Sequence, residues 1–316
     1  DLAKMIGEEG AVACYRAGVQ SIHTLKKLVK KERIDGGFER KQSLQVAHAK
    51  EEIPQLLKEY WFRKKHGFDV TWLSSEEIKE RFKMDSHPGI LSKEGASIDA
   101  FLLAHELFHK NNGQGLRIYD HTAIREITYG DRVAIETEQG HRVECKRVVF
   151  CTGYEALSMF REKYAKIKST FVTVSEQNIN LYNDLKDVVI WDTADPYIYL
   201  RTTDDKRLLV GGEDIGYKYD GISDKLKNKK AERLIDKARK LFPSLHFTKD
   251  YNWAGAFGAT KAGLPYMGIH PRYKNALFIL GFGGNGITYS VQGMKLVLKL
   301  LAEEEDPLLH YYRFDR

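Results

Sequence analysis

Two short patterns carry residue types at spacings that could do chemistry. The first is His105-Glu106-Leu107-Phe108-His109, an H-E-x-x-H pattern in a stretch of helical character. On a helix the two imidazoles share one face, where both could bind Zn²⁺ while the glutamate activates a water. The surroundings weaken that chemistry. The helical pattern stops at Asn111-Asn112-Gly113, Asn112 occupies the position where an H-x-x-G continuation needs glycine, and the downstream Glu126 falls on a strand pattern. No metal site is therefore expected, and the zinc hydrolase is kept as an alternative. The second pattern is Gly281-Phe282-Gly283-Gly284-Asn285-Gly286, a G-x-G-x-x-G that follows an apolar strand and opens a helix. Glycines let a backbone approach a ligand closely. The free N–H groups and positive dipole end of the following helix favour negative charge. No second strand with a terminal acid follows, so an ordinary βαβ dinucleotide fingerprint is not expected here.

The elements that must hold these residues lie in order along the chain. Residues 2–34 show a helical apolar period and end at Gly36-Gly37. A strand over 38–48, a helix over 51–67, a strand over 70–73 and a helix over 74–82 capped by Ser74 or Ser75 follow. Residues 96–115 read as a helix capped by Asp99. Strand patterns follow over 116–119, 124–129, 133–137, 141–145 and 147–151. Further strands are expected over 168–175, 187–192, 197–202 and 207–212, with Asp204-Asp205 as a hairpin turn. A helix over 223–242, a strand over 276–280 and a helix from about 287 to 303 complete the pattern. Strand and helix types mix along the whole chain, so two domains are expected to interleave. The basic runs Lys26–Lys31 and Lys225–Lys230 read as solvated helix faces.

Composition narrows the class. The chain has 316 residues, 42% hydrophobic and 30% charged, enough for a sizeable core and too apolar for a disordered chain. Fifty Lys and Arg against 44 Asp and Glu leave a formal charge of +6, too mild and dispersed to imply nucleic acid. No apolar window approaches the length of a membrane span. Three cysteines without paired spacing fit a reducing, cytoplasmic setting and exclude a cysteine zinc site.

Four segments in order then resemble the FAD-dependent oxidoreductases of the D-amino-acid oxidase and glycine oxidase type. They are Thr122–Ile124 leading to Val148–Gly153, Tyr197–Asp214, Trp253–Gly268 and Asn275–Thr288. The resemblance implies an α/β plus α+β fold. A Rossmann-like FAD-binding domain (1–34, 84–160 and 259–316) would interleave with an antiparallel-sheet substrate domain (35–83 and 161–258). It implies FAD as cofactor, a small amine or amino acid as substrate, and hydride transfer to the flavin. The cofactor side would use Ile124, Cys151, Thr152, Gly153, Gly281, Phe282, Gly283, Gly284, Asn285, Gly286, Ile287 and Thr288. The substrate side would use Tyr199, Arg201, Phe257 and Lys261. No catalytic acid or base is assigned, since the flavin does the redox chemistry. Phe257 stands where amino-acid-oxidising members align an arginine, and Arg201 is the nearest replacement for holding a carboxylate. Ala262 stands where the family pattern has an acid.

The front of the family pattern, a strand and glycine loop ahead of residue 1, has no counterpart in the sequence. The chain therefore resembles a family member lacking its first several dozen residues, and weak or no FAD binding by this polypeptide is expected. A non-catalytic binding fragment, with an exposed apolar face, is the third function considered. Nucleic acid and a membrane span are not expected partners; a homo-oligomer is compatible with everything above.

Overall fold

The structure is a computed structural model that describes residues 2–218 and 221–316. The elements begin with α1 (Leu2–Glu32), β1 (Glu39–Val46), α2 (Ile53–Lys65), β2 (Val70–Leu73), α3 (Ser75–Phe82), β3 (Gly89–Ser97) and α4 (Ala100–Asn112). They continue with β4 (Ile124–Thr128), β5 (Val133–Thr137), β6 (Arg142–Cys145), β7 (Val148–Phe150), β8 (Lys166–Ser175), α5 (Tyr182–Leu185), β9 (Val188–Asp192), β10 (Tyr199–Thr202) and β11 (Leu208–Gly216). The last are α6 (Asp224–Leu241), β12 (Lys249–Ala259), β13 (Tyr266–Ile269), β14 (Ala276–Leu280), α7 (Gly286–Leu301) and α8 (Pro307–Tyr312). The chain forms two compact units. One comprises Asp1–Gly36, Asp99–Ile167 and Phe257–Arg316; the other comprises Gly37–Ile98 and Lys168–Ala256.

The second unit is built on an eight-stranded sheet of order β12-β8-β11-β10-β9-β1-β3-β2. β1 and β9 pair in parallel, whereas β10–β11 and β8–β11 pair antiparallel. Alternation along the strands puts Leu44, Ile190, Leu200, Leu208 and Val210 on one face. That face packs against Leu234, Ile235 and Ala238 of α6. Helix α6 starts where the Ser223 side chain accepts from the Leu226 N–H. Ser74 caps α3 in a full capping box with Glu77, two N-terminal N–H groups answered reciprocally.

The sequence expectation fails at β3. Gly89–Ser97 has no clean alternation, yet it forms a strand because β1 and β2 hydrogen-bond to both its edges. Residues 84–98, grouped by sequence with the first unit, thus supply a strand to the large sheet. The expected strand over 116–119 does not form; Leu116, Ile118 and Tyr119 are exposed and pair with no strand among the described residues.

Lys230, at the end of the basic run Lys225–Lys230, departs from the solvated-face expectation. Lys230 is buried, with Nζ 3.0 Å from Glu213 Oε2 and 3.0 Å from the Glu213 carbonyl oxygen. Arg233 and Lys237 approach the same carboxylate at 3.5 and 2.5 Å. Spacings of three and seven residues place all three cations on one helix face. The rest of the run stays at the surface, with Lys225 and Lys229 exposed, and one acid on β11 draws Lys230 alone inward.

The first unit holds two smaller sheets, β13-β14-β7 and β4-β5-β6. β14 pairs parallel with β7 and antiparallel with β13. Phe150, Phe160, Phe278 and Phe314 form one aromatic core over the parallel pair, with the Phe150 and Phe278 rings stacked at 4.8 Å. Helix α1 spans most of the expected length, with a break at Gly7 (φ 79°). Helix α4 is capped by Asp99, as its sequence suggests, but buries none of its residues and exposes Phe101, Leu102 and Phe108.

The Glu213 cluster predicts an acid dependence. Burial raises the Glu213 carboxyl, and Lys237 and Lys230 overcome that, lowering it from 4.5 to about 2. A depressed folded-state value means the stabilisation is complete above the unfolded value and is lost as pH falls through the folded one. Urea midpoints should therefore fall between about pH 5 and pH 2 in the wild type, and more shallowly in Glu213→Gln. That substitution strands the buried Lys230 ammonium and should cost about 3 kcal/mol at neutral pH.

Candidate cofactor and substrate sites

Parallel pairing brings two distant glycine turns to one edge. Phe278 of β14 stands opposite Phe150 of β7, so both strands leave the sheet at the same end. β7 runs into Cys151-Thr152-Gly153, and β14 runs into Gly281–Gly286. Ligands of α/β sheets bind outside the carboxyl ends of parallel strands. The turn after β14 opens α7, whose first turn holds no acidic residue and whose Asn285 makes no capping side-chain hydrogen bond. Its N-terminal N–H groups are not engaged by that cap and favour an anionic group.

The two turns have the form of a cradle. Gly153 (φ +57°) and Gly283 (φ +76°) both hold left-handed backbone, and a Cβ on either would meet nothing within 4 Å. Gly284, Asn285 and Ile287 are exposed, while Gly281, Gly286 and Thr288 are partly covered. Phe282 differs from the sequence expectation. Its side chain is buried, and a Cβ on Gly258 would come within 2.7 Å of its ring. It serves the core, leaving only its backbone to the turn. The Thr260–Leu264 turn, which carries Lys261, is pinned to α7 by the Tyr289 hydroxyl, which donates to the Gly263 carbonyl at 2.7 Å. Burial pushes the Tyr289 phenol up to about 12, so it stays a neutral donor.

Other expected residues lie elsewhere. Ile124 begins β4 in the separate β4-β5-β6 sheet and is exposed. Phe257 is half-buried near the end of β12. Tyr199 and Arg201 sit on β10 in the second unit, on one face of the large sheet, and the Arg201 Nη1 donates to the Thr202 carbonyl at 3.2 Å. A hollow of about 710 Å³ lies at the other ends of β7 and β14, lined by Arg147, Lys146, Asp131 and Asn275. Two of its charges are engaged with neighbours, Asp131 with Lys274 and Arg147 with Glu303, and it lies at the opposite strand ends from the glycine turns.

The H-E-x-x-H residues make ordinary helix contacts. His105 packs against Phe101 with ring centroids 4.2 Å apart and planes tilted by 44°, and Glu106 faces Lys110. Among the described residues no group of three or more His, Cys, Asp or Glu could hold a metal ion.

Comparison with known proteins fits this geometry. The sequence profile of the FAD dependent oxidoreductase family matches residues 5–297. The chain belongs to that family, and it is an FAD-dependent oxidoreductase with a Rossmann-like fold. It is 25% identical to glycine oxidase of Bacillus subtilis (strain 168) over 255 residues, 78% of this chain and 67% of the relative. The crystal structure of glycine oxidase from Geobacillus kaustophilus superposes with a TM-score of 0.78 at 21% identity, covering 91% of this chain and 79% of that one. L-proline dehydrogenase from P. horikoshii gives a TM-score of 0.79 at 16% identity, covering 94% and 81%. At such identities the two structures speak for the fold alone. No helix among the described residues is long and apolar enough to cross a membrane.

Two outcomes follow from the cradle. Cys14 is buried, Cys145 partly covered and Cys151 exposed. In protein carrying FAD, alkylation of Cys151 should slow several-fold relative to the apoprotein, with Cys145 unchanged; peptide mass spectrometry reads both. Gly283→Ala puts a Cβ into left-handed backbone, at a cost of about 1–2 kcal/mol. It should weaken FAD binding, measured by flavin fluorescence quenching, while the fold melts nearly as before.

Proposed function

We propose that this protein oxidises a small amine or amino-acid-like substrate by hydride transfer to FAD. The carrying observation is the pair of glycine turns at the carboxyl ends of parallel β7 and β14, one of them opening α7. The names of the relatives, glycine oxidase above all, support the substrate class. In this reading the first unit holds the cofactor and the second holds the substrate. Three free cysteines, none paired in a disulfide, support a reducing cytoplasmic location.

The residues divide the work. Cys151–Gly153 and Gly281–Thr288 hold the cofactor mainly through backbone. When bound, FAD supplies an isoalloxazine that accepts the hydride. The first turn of α7 places N–H groups and a positive dipole end against negative charge, which lowers the cost of its appearance. Buried Phe282 and Tyr289 keep water out from beneath the turn. Lys261, exposed on its pinned turn, adds a cation to the same edge. On the substrate side, Tyr199 and Arg201 offer a ring and a guanidinium for orienting the substrate. Phe257 offers apolar surface where amino-acid oxidation of the expected kind would need an arginine.

Anaerobic mixing tests this reading. Flavin absorbance of the FAD-loaded protein should bleach with at least one of glycine, L-proline or a simple alkylamine, and return on admitting oxygen or a dye. A flavin that dithionite reduces, but that stays oxidised with every amine and amino acid tried, would sink it.

A further inference from the structure

The large sheet has a face turned away from α6, and it carries groups that hydride transfer leaves unexplained. Alternation sends Leu200, Leu208 and Val210 into the core with α6 and sends Tyr199 to the opposite face, against Val172, Val174 and Leu209. Trp191 of β9 stands directly beside Tyr199 in register. Tyr197, just before β10, completes an aromatic row. Its ring lies 6.5 Å from Trp191 and 5.8 Å from Tyr199 between centroids. The row depends on the strand beneath it. Tyr199 faces Gly211 across the β10–β11 ladder, and a Cβ there would come within 2.1 Å of its ring. At Gly212 (φ +139°) a Cβ would come within 2.4 Å of the Tyr197 carbonyl oxygen.

An acid follows at once. The β8–β11 register shifts between Gly212 and Ile215, and Glu213 holds a left-handed φ of 58°. Such a bulge re-aims side chains. The Glu213 carboxylate goes to Lys230 and Lys237 on α6. Asp214 is left half-buried beside Thr170, and its charge reaches both Tyr197 and Tyr199. Burial pushes the Asp214 carboxyl up. Thr170, Lys168 and Lys230 oppose the rise without cancelling it, and Asp195 adds to it. Lys230 is already committed to Glu213. A carboxylate in that state gains from one more cation. Burial, with Asp214 second, raises the Tyr197 phenol to about 12, so its ring stays neutral and its face electron-rich.

We propose that Asp214, with the faces of Tyr197 and Tyr199, binds the ammonium group of a cationic amine. The proposal rests on the amine-oxidation reading and names the charged end of its substrate; the bound nitrogen passes one proton to the Asp214 carboxylate before hydride leaves the adjacent carbon, so that its lone pair can form the iminium. Register puts Arg201 on the same face, on the far side of Tyr199 from Asp214. The face is thus polarised along the strands. An ammonium sits at the Asp214 end, and any anionic or polar tail of the substrate points towards Arg201. Selectivity for cationic amines follows, because a neutral isostere gains neither the carboxylate nor the ring faces.

The test separates binding from turnover. Benzyltrimethylammonium carries the charge but has no N–H and cannot be oxidised to an imine, so calorimetry on the FAD-loaded protein reads recognition alone. The wild type should bind it. Asp214→Asn and Tyr197→Leu should each weaken binding by about tenfold or more, near 1.4 kcal/mol. Tyr197→Phe, which keeps the ring, should bind nearly as the wild type does. Wild-type protein that does not bind the probe, or an Asp214→Asn variant that folds and binds it undiminished, overturns the proposal. Loss in Tyr197→Phe equal to that in Tyr197→Leu would also overturn the role of the ring face. Flavin bleaching by amines is scored separately, so failure of the oxidase reading and failure of the ammonium site are told apart.

Discussion

The parallel pairing of β7 with β14 is the constraint on which the cofactor side depends. Residues more than a hundred positions apart meet there, Phe150 against Phe278, and their rings stack almost in parallel. Closing so long a loop costs entropy, which buried aromatic area must offset. Phe160, Phe314 and Tyr273 pack on the same strands and supply that area. Were the pair antiparallel, the turn at Gly153 and the turn at Gly283 would lie at opposite ends of the sheet. In parallel they open at one end, with the start of α7 between the sheet and solvent.

The second unit is organised around a different device. In the sequence Gly211-Gly212-Glu213-Asp214 each residue has its own task. The first glycine makes room for a ring, and the second for a close backbone carbonyl. The glutamate, in left-handed backbone, anchors α6 by a buried ion cluster. The aspartate is left on the other face beside tyrosines. Both glycines are needed because packing on the two sides of one strand is so close that a methyl group does not fit. A single bulge therefore couples the stability of the helix–sheet core to the character of the opposite surface.

The two motifs that look most like chemistry in the sequence have different fates. H-E-x-x-H lies on α4, a helix that buries nothing, where His105 leans on Phe101. G-x-G-x-x-G lies at a strand end beside a second glycine turn. The difference is one of context. A motif becomes a site when the fold brings further groups to it, and among the described residues no group of three or more His, Cys, Asp or Glu that could hold a metal ion gathers at His105 and His109. Large exposed apolar side chains are also unevenly spread. Trp61, Tyr251 and Trp253 belong to the second unit, while the others identified among the described residues fall in the first.

Much was legible in the sequence. Local patterns determined the helix over α1, the Asp99 cap, the helix over 223–242, the β10–β11 hairpin with its Asp204-Asp205 turn, and the glycine turn opening α7. These depend on neighbours a few residues away, which the sequence displays directly. The ordered segments also carried the family and its FAD. Tertiary structure alone decided the rest. β3 is a strand because partners flank it, not because it alternates. Lys230 is buried because Glu213 lies opposite it, 17 residues away. Phe282 serves the core because Gly258 leaves room for its ring. Asp214 and Tyr197 carry no local signal because their meaning lies in the bulge that turns Glu213 one way and Asp214 the other. The physical reason is common to all four. Periodicity and capping are local energies, written along the chain. Burial, pairing and electrostatic compensation depend on which distant groups arrive, and only the folded backbone brings them.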